Sequence, residues 1–314
     1  MLITFDVSWS QVWHDLCTAG WWFVAILALW PVLYMLNTCS WWLILRASGP
    51  VPFSFWWLYK IMVSGFALNS ATPGGLVGSE PYKIMELTPK VGGKRASSSV
   101  ILFTMMHTFC HFLFWFTSVF LYIFTEEVDV FMGILLGVVT VFCCVGLYFF
   151  MAGYRTGFVM KLLNLCAHIP YVKRSVRRLR EEKREAIETI DRQITELHSQ
   201  SRSTFVSTML LEFFGRVASC LEVYFILMIF HNDVTFIRCI LIMAFTSLFA
   251  NMLFFIPMQV GGREGGFAMS VGKLAIPASY GVFIGILCRV REIIFTAIGM
   301  ALLKVGNHSD KTIK

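Results

Sequence analysis

Long apolar runs separated by polar connections dominate this chain, at about 16–45, 55–72, 100–124, 131–152, 205–230, 236–256 and 281–303. Such runs predict α-helices crossing a hydrocarbon core of about 30 Å, which takes roughly 20 apolar residues. Lipid offers the backbone no hydrogen-bond partner, so each run must satisfy its amides internally, as a helix does. Two runs differ from the rest. Segments 55–72 and 236–256 lead into helix breakers, Pro73-Gly74-Gly75-x-x-Gly78-x-Glu80 and Pro257-x-x-x-Gly261-Gly262-x-Glu264-Gly265-Gly266, each with a glutamate seven residues after the proline. Their recurrence in both halves predicts a duplicated transport core rather than an enzyme scaffold.

Charge orders the runs across a membrane, because Lys and Arg favour the cytoplasmic side. Arg46, the group Lys83, Lys90, Lys94 and Arg95, and the block 153–204 with Lys173, Arg174, Arg177, Arg178, Arg180, Lys183 and Arg184 all read as cytoplasmic. The connections Glu126-Glu127-Val128-Asp129 and His231-Asn232-Asp233 lack Lys and Arg and read as external. If 16–45 runs inward, the segment before Lys83 must enter and leave from the cytoplasm, as a re-entrant hairpin turning between Asn69 and Glu80. Applied throughout, this threading predicts an all-α polytopic membrane protein with one transmembrane domain, 1–314. Within it lie repeat one at 16–124, an extra helix at 131–152, a cytoplasmic charged linker at 153–204 and repeat two at 205–303. Each repeat reads as spanning helix, re-entrant hairpin, spanning helix, and the extra helix inverts the second. The N-terminus falls outside and the C-terminus, with Lys304, Lys311 and Lys314, in the cytoplasm. A competing threading makes 236–256 a full span and puts the C-terminus outside.

Composition supports lipid as the solvent: 57% of residues are hydrophobic and the mean hydropathy is +0.70, well above an ordinary soluble domain. The net charge of +7 reflects sidedness, and with no folded soluble domain around the basic cluster a nucleic-acid partner is not expected. The first run exceeds a signal peptide's apolar region, follows Asp6 and Asp15, and reads as a retained span. None of the nine cysteines is spaced as a zinc or redox motif, and no phosphate-binding loop ending in Lys-Ser or Lys-Thr occurs, so neither metal, cofactor nor ATP is expected.

Irregular backbone within a membrane must line a protein-enclosed or watery cavity, which makes the glycine segments a candidate binding site. Glycines allow close backbone approach, and amides at a following helix N-terminus can receive phosphate or carboxylate. Asn69, Ser70, Thr72 and Ser79 add polar contacts at the first turn, Gln259 and Arg263 at the second, and a guanidinium pairs bidentately with phosphate. Glu80 and Glu264 have two readings: acceptors for the amides of their own broken helices, or carriers of a proton or contacts to a cationic headgroup. Glu212 and Arg216, four apart, share a helical face and can pair internally. In the last run Arg289 and Glu292 share a face while Arg291 points elsewhere, and Arg216 and Arg289 are expected to face the interior. His107 and His111 have a chelating spacing but no further ligand nearby, and read as polar residues hydrogen-bonding inside the bundle. The charged stretch 172–200 reads as a solvent-facing helix linking the two halves.

On these residues the chain resembles the lysylphosphatidylglycerol synthase transmembrane-region family, also described as a flippase-domain family of bacterial membrane proteins. The proline-glycine-glycine segment ending at Glu80, the run Pro257 to Gly266 and the pair Glu212 and Arg216 carry the resemblance, which covers nearly the whole chain. It implies a multi-pass protein of the bacterial inner membrane that moves polar lipids or lipid-linked precursors between leaflets. Two departures matter. Met258, Gln259 and Val260 follow the second proline where the first is followed at once by glycines, so unlike cavities are expected. Only 304–314 follow the last apolar run, so lipid aminoacylation by this chain alone is not expected. The resulting expectation is a translocase for an anionic phospholipid or a polyprenyl-phosphate-type lipid. Arg216, Arg263 and Arg289 would balance phosphate charge, and Glu80 or Glu264 would supply proton or cation coupling. The alternatives are an intramembrane lipid-modifying enzyme using Glu80, Glu264 and His107 as acid-base groups, and a scaffold acting through 172–200.

Overall fold

The computed structural model describes residues 9–71, 79–156, 202–229, 234–252 and 278–306, with single helical positions at 188, 191, 192, 195, 266, 267 and 270. Among the described residues the protein is all-helical, with no strand. In chain order the helices are α1 (Trp9–Ala47), α2 (Phe55–Ala71), α3 (Ser79–Val91), α4 (Gly93–Thr125), α5 (Val130–Thr156), α6 (Arg202–Ile229), α7 (Phe236–Met252) and α8 (Ala278–Gly306). All seven apolar runs fall on helices, and α3 is the added element, a short amphipathic helix. Both glycine segments between their proline and glutamate, apart from Ser79 and Glu80, lie outside the described residues. So does most of 172–200.

Among the described residues three stretches are long and apolar enough to cross a membrane: Gly20–Ala47 of α1, Gly93–Thr125 of α4 and Val130–Gly153 of α5. α6 and α8 are long enough, at 28 and 29 residues, but each carries charges within its apolar run. Over the described residues α2 and α7 have 17 residues each and α3 has 13, against the roughly 20 a perpendicular span needs. Gly20 adopts φ +47° and kinks α1 where its apolar stretch begins.

Helix α4 is the hub, packed against α1, α3, α5, α6 and α7. Around it α1 lies along α6, and α2 along α8. One buried cluster joins Trp41 and Leu45 of α1, Leu58 of α2, Leu87 of α3 and Val100 and Met106 of α4. The other joins Ile26 of α1, Val223 and Leu227 of α6, Ile242 of α7 and Ile284 and Leu287 of α8. Between helices in lipid the hydrophobic effect contributes little, so close packing and polar contacts must hold the bundle. Gly299 of α8 illustrates the packing: a Cβ there would lie 2.6 Å from Ala67 Cβ and 2.7 Å from the Val63 carbonyl oxygen of α2. α5 packs chiefly on α4 and exposes Val130, Phe131, Ile134, Val138, Val141 and Val145, an apolar stripe suited to lipid.

Both short helices are met by the chain folding back. α2 packs beside α3, where Gly65 faces Ser79 and Lys83. α7 is met by helical Gly266 and Ser270, with Thr246 Oγ1 3.0 Å from Ser270 Oγ. Polar contacts tie the two ends of the bundle. At one end the Arg95 guanidinium donates to the carbonyls of Leu45 (2.8 Å), Gly49 (2.8 Å) and Pro50 (2.9 Å) and to Ser48 Oγ (2.7 Å). A cation there satisfies carbonyls left over at the C-terminus of α1 and opposes its dipole. This joins the basic group at 83–95 to the Arg46 end of α1. At the other end Arg238 of α7 donates to Glu126 at 2.8 and 3.4 Å, which brings the connections after α4 and before α7 together.

Candidate functional site

The described polar groups converge on one face of α4. Phe103, His107, His111 and Trp115 follow each other at intervals of four, so their rings form a column along the helix. Adjacent ring centroids lie 6.2, 5.1 and 5.5 Å apart. At a rise of 1.5 Å per residue the column spans about 18 Å. At one end the Lys83 ammonium sits 5.1 Å from the Phe103 ring and 5.7 Å from the Trp41 ring. Lys83 is 5% exposed, so aromatic faces and the nearby carboxylates of Glu80 and Glu212 take the place of water around its charge.

Midway along the column α6 presents Glu212 and Arg216, one helical turn apart, to His107. His107 Nδ1 lies 2.7 Å from Glu212 Oε2, and Arg216 Nη2 lies 3.2 Å from His107 Nε2. A guanidinium only donates, so Nε2 must accept, which places the proton of a neutral imidazole on Nδ1, donating to the carboxylate. Sequence spacing predicted an internal Glu212–Arg216 pair; the structure inserts His107 between them as donor to one and acceptor for the other. The arrangement leaves capacity unused. Glu212 Oε1, Arg216 Nε and His111 Nδ1 are buried without a hydrogen-bond partner. Lys83 and Arg216 stand against Glu212 and Glu80, two cations to two carboxylates, and the open Arg216 donor suits a polar anionic guest.

At its far end the column meets an apolar cavity of about 270 Å³ among α4, α5 and α7, lined by Trp115, Val119, Leu135, Val139, Ala244 and Leu248 among others. Trp115 is shared: its ring contacts His111, its Nε1 donates to Ser247 Oγ at 2.9 Å, and it forms part of the cavity wall. A dry cavity of about 150 Å³ already admits a small hydrocarbon, so this one has room for a stretch of alkyl chain. Polar and apolar sites therefore adjoin through one residue.

A second charged pair is separate. Arg291 of α8 donates from Nε and Nη2 to the two oxygens of Glu222 on α6, at 2.9 and 3.1 Å, and both side chains are 1% exposed. The guanidinium also stacks on Trp30 of α1, 3.7 Å from its ring centroid. Sequence reasoning turned Arg289 toward the interior and Arg291 away; in the structure Arg291 is the one fully buried. Arg289 keeps 25% of its side-chain exposure and lies 3.8 Å from Glu292, the neighbour expected on its face. Glu80 stands half-buried in the first turn of α3, three residues before Lys83, and Asn69 is half-buried near the end of α2. Pro73, Gly74, Gly75, Gly78, Pro257, Gly261, Gly262, Arg263 and Glu264 lie outside the described residues. Lys83 was counted only as a marker of sidedness; its position three after Glu80 on an amphipathic helix was the signal for more. The interval of four from Phe103 to Trp115 was likewise present in the sequence, but only the neighbouring α6 gives it meaning.

A family model described as "Lysylphosphatidylglycerol synthase TM region" matches residues 1–299. No curated protein and no solved structure matches the chain.

Proposed function

From the premise that this chain belongs to the lysylphosphatidylglycerol synthase TM-region family, a membrane family tied to lipids, we propose that it translocates a polar, anionic lipid between the leaflets of a bacterial inner membrane. The observation that carries this reading is the junction at Trp115 between a polar group holding buried cations and an apolar cavity. An amphiphile needs both. Its phosphate would be met by Arg216 and Lys83, and a segment of its chain would occupy the space among α4, α5 and α7. The substrate class is a phospholipid or polyprenyl-phosphate-type lipid, since both join a phosphate to hydrocarbon.

In this reading α2 with α3, and α7 with the helical positions after the second glycine segment, are the limbs of two re-entrant hairpins in inverted repeats. Support comes from the packing of each returning segment on the helix before it. Further support comes from exchange: if α1, α2 and α4 correspond to α6, α7 and α8, the neighbours α2 with α8 become α7 with α4, and both pairs are in contact. Glu80, Arg263 and Glu264, with the glycines beside them, would complete the cavity, and Arg289 and Glu292 would act in gating. Without an ATP motif, movement is downhill or coupled to an ion. The N-terminus is outside and the C-terminus cytoplasmic.

A second reading, an acid-base enzyme acting on a lipid, is favoured by one observation, that a carboxylate orients His107. One experiment separates the two. Labelled phosphatidylglycerol, phosphatidylcholine and a polyprenyl phosphate are followed between leaflets of proteoliposomes, and the recovered lipids are weighed by mass spectrometry. Wild-type protein is expected to move an anionic lipid unaltered, and Arg216→Ala and Glu212→Gln to slow it about tenfold or more, the scale of a lost charge-assisted contact. Changed lipid masses would favour the enzyme. Unaltered masses with no movement above protein-free vesicles would sink both readings.

A further inference from the structure

We propose that His107 is a proton-binding site that controls whether Arg216 is available to the anionic lipid. The inference rests on the translocation reading and assigns its ion coupling to His107 rather than to Glu80 or Glu264, where the sequence reading placed it. Three observations carry it. The geometry requires the neutral imidazole, with Nε2 accepting from Arg216 and Nδ1 donating to Glu212. His107 keeps 38% of its side-chain exposure whereas Glu212 keeps 1%, so a proton arriving at the group meets the imidazole before the carboxylate. Buried Arg216 Nε and Glu212 Oε1 have no hydrogen-bond partner, so both groups have capacity for a different arrangement.

Protonation at Nε2 rearranges the group in a defined way. One proton enters from water, and Nε2 changes from acceptor to donor. The bond from Arg216 is lost, since two donors now face each other, and an imidazolium stands beside a guanidinium. Glu212 retains the Nδ1 proton and becomes the counter-charge to the imidazolium, so it no longer restrains Arg216 through the ring. The freed guanidinium and the added positive charge then favour a phosphate. Deprotonation restores the Arg216–His107 bond and releases the guest. The other charged and titratable groups around His107 frame the change. α3 contributes Lys83, with Glu80 beside it, near Phe103, and α4 itself contributes His111, 5.1 Å away ring to ring, and the Cys110 thiol, bonded to the Met209 carbonyl oxygen. α1 brings the uncharged Trp41 to the same end. His111 is a weaker candidate for the same role because its Nδ1 is buried without a partner rather than joined to both charges of α6.

Linkage makes this testable: if a proton favours the lipid, the lipid must favour the proton by the same factor. The full chain in nanodiscs is titrated with a spin-labelled phosphatidylglycerol at pH of about 7.5 and about 5.5, which bracket the ordinary histidine range. Binding by wild type is expected to tighten about tenfold at the lower pH, within the usual range of coupling between sites. His107→Gln, whose amide can still donate to Glu212 and accept from Arg216 but cannot titrate, is expected to bind with little pH dependence, and His111→Gln to keep it. Nitrogen-15 histidine spectra of the wild type provide a second readout that needs no variant. One neutral, Nδ1-protonated ring is expected at the higher pH, becoming charged at the lower, and earlier when the lipid is present. Pronounced pH dependence retained by His107→Gln, or a His107 signal that stays neutral throughout, would overturn the proton site while leaving lipid translocation standing. Failure of folded wild type to bind the probe at either pH would overturn the anionic-lipid reading and this inference with it.

Discussion

Glu222 and Arg291 show how a charge is tolerated at the centre of this bundle. Each is 1% exposed, and each oxygen of the carboxylate receives a guanidinium donor, while Trp30 covers the guanidinium face. Breaking such a pair leaves one charge buried without compensation, costing about 3–5 kcal/mol in soluble proteins, whereas replacing both partners by apolar residues of similar volume is often neutral. Glu222→Met is therefore expected to lower the thermal unfolding midpoint in detergent substantially, and Glu222→Met with Arg291→Met to recover most of the loss. If the double variant is as unstable as the single, the contribution lies in the shape of the arginine rather than in charge pairing. The error over Arg291 has a simple cause. Helical periodicity gives the angle between side chains, so Arg289 and Glu292 were correctly set on one face, but it does not say which face turns inward. That depends on where α6 and α1 place Glu222 and Trp30.

Close helix contact at the element scale depends on residues that look unremarkable in sequence. Gly299 is one glycine in an apolar run, yet it allows α8 to cross α2 with Val63 and Ala67 at its surface. Adding a side chain at such a crossing costs typically 1–3 kcal/mol by overpacking. Gly299→Val is expected to lower the unfolding midpoint and, in the reading of α2 as a hairpin limb, to slow lipid movement. Ala67→Gly is not expected to rescue it, because the Val63 carbonyl oxygen would still lie 2.7 Å from the new Cβ and a carbonyl cannot be trimmed by substitution. Full rescue in the double variant would show that Ala67 alone sets the spacing. Helix identity at this scale was readable from hydrophobic run length for α1, α2 and α4 to α8. α3 was hidden because its mixed sequence follows a glycine segment, and its amphipathic face acquires a partner only when the chain turns back onto α2 and α4.

For the whole molecule, the two polar ties set what must lie together. Arg95 bonded to the end of α1 and Arg238 bonded to Glu126 mark opposite ends of α4, and the proposed threading puts the first in the cytoplasm and the second outside. Lys94 and Glu127, both exposed, test this through single cysteines in a background where all nine native cysteines are replaced. A membrane-impermeant maleimide is expected to label Glu127→Cys in intact cells and Lys94→Cys only after permeabilisation. Labelling of both from the same side would reject the threading, and labelling in the reverse order would invert the molecule.

Much of this protein followed from composition and order alone. Run length against bilayer thickness made it helical and membrane-embedded, and the placement of Lys and Arg suggested its sidedness. Those properties are local or additive along the chain, which is why a sequence expresses them. The site is neither. His107 is an isolated histidine on an apolar helix until α6 supplies Glu212 on one nitrogen and Arg216 on the other, across 105 and 109 residues of chain. Lys83 is a surface charge until Trp41 and Phe103 enclose it, and the cavity at Trp115 exists only between three helices. Hydrogen-bond direction and enclosed volume belong to pairs and triples of elements, so only the tertiary structure could decide them.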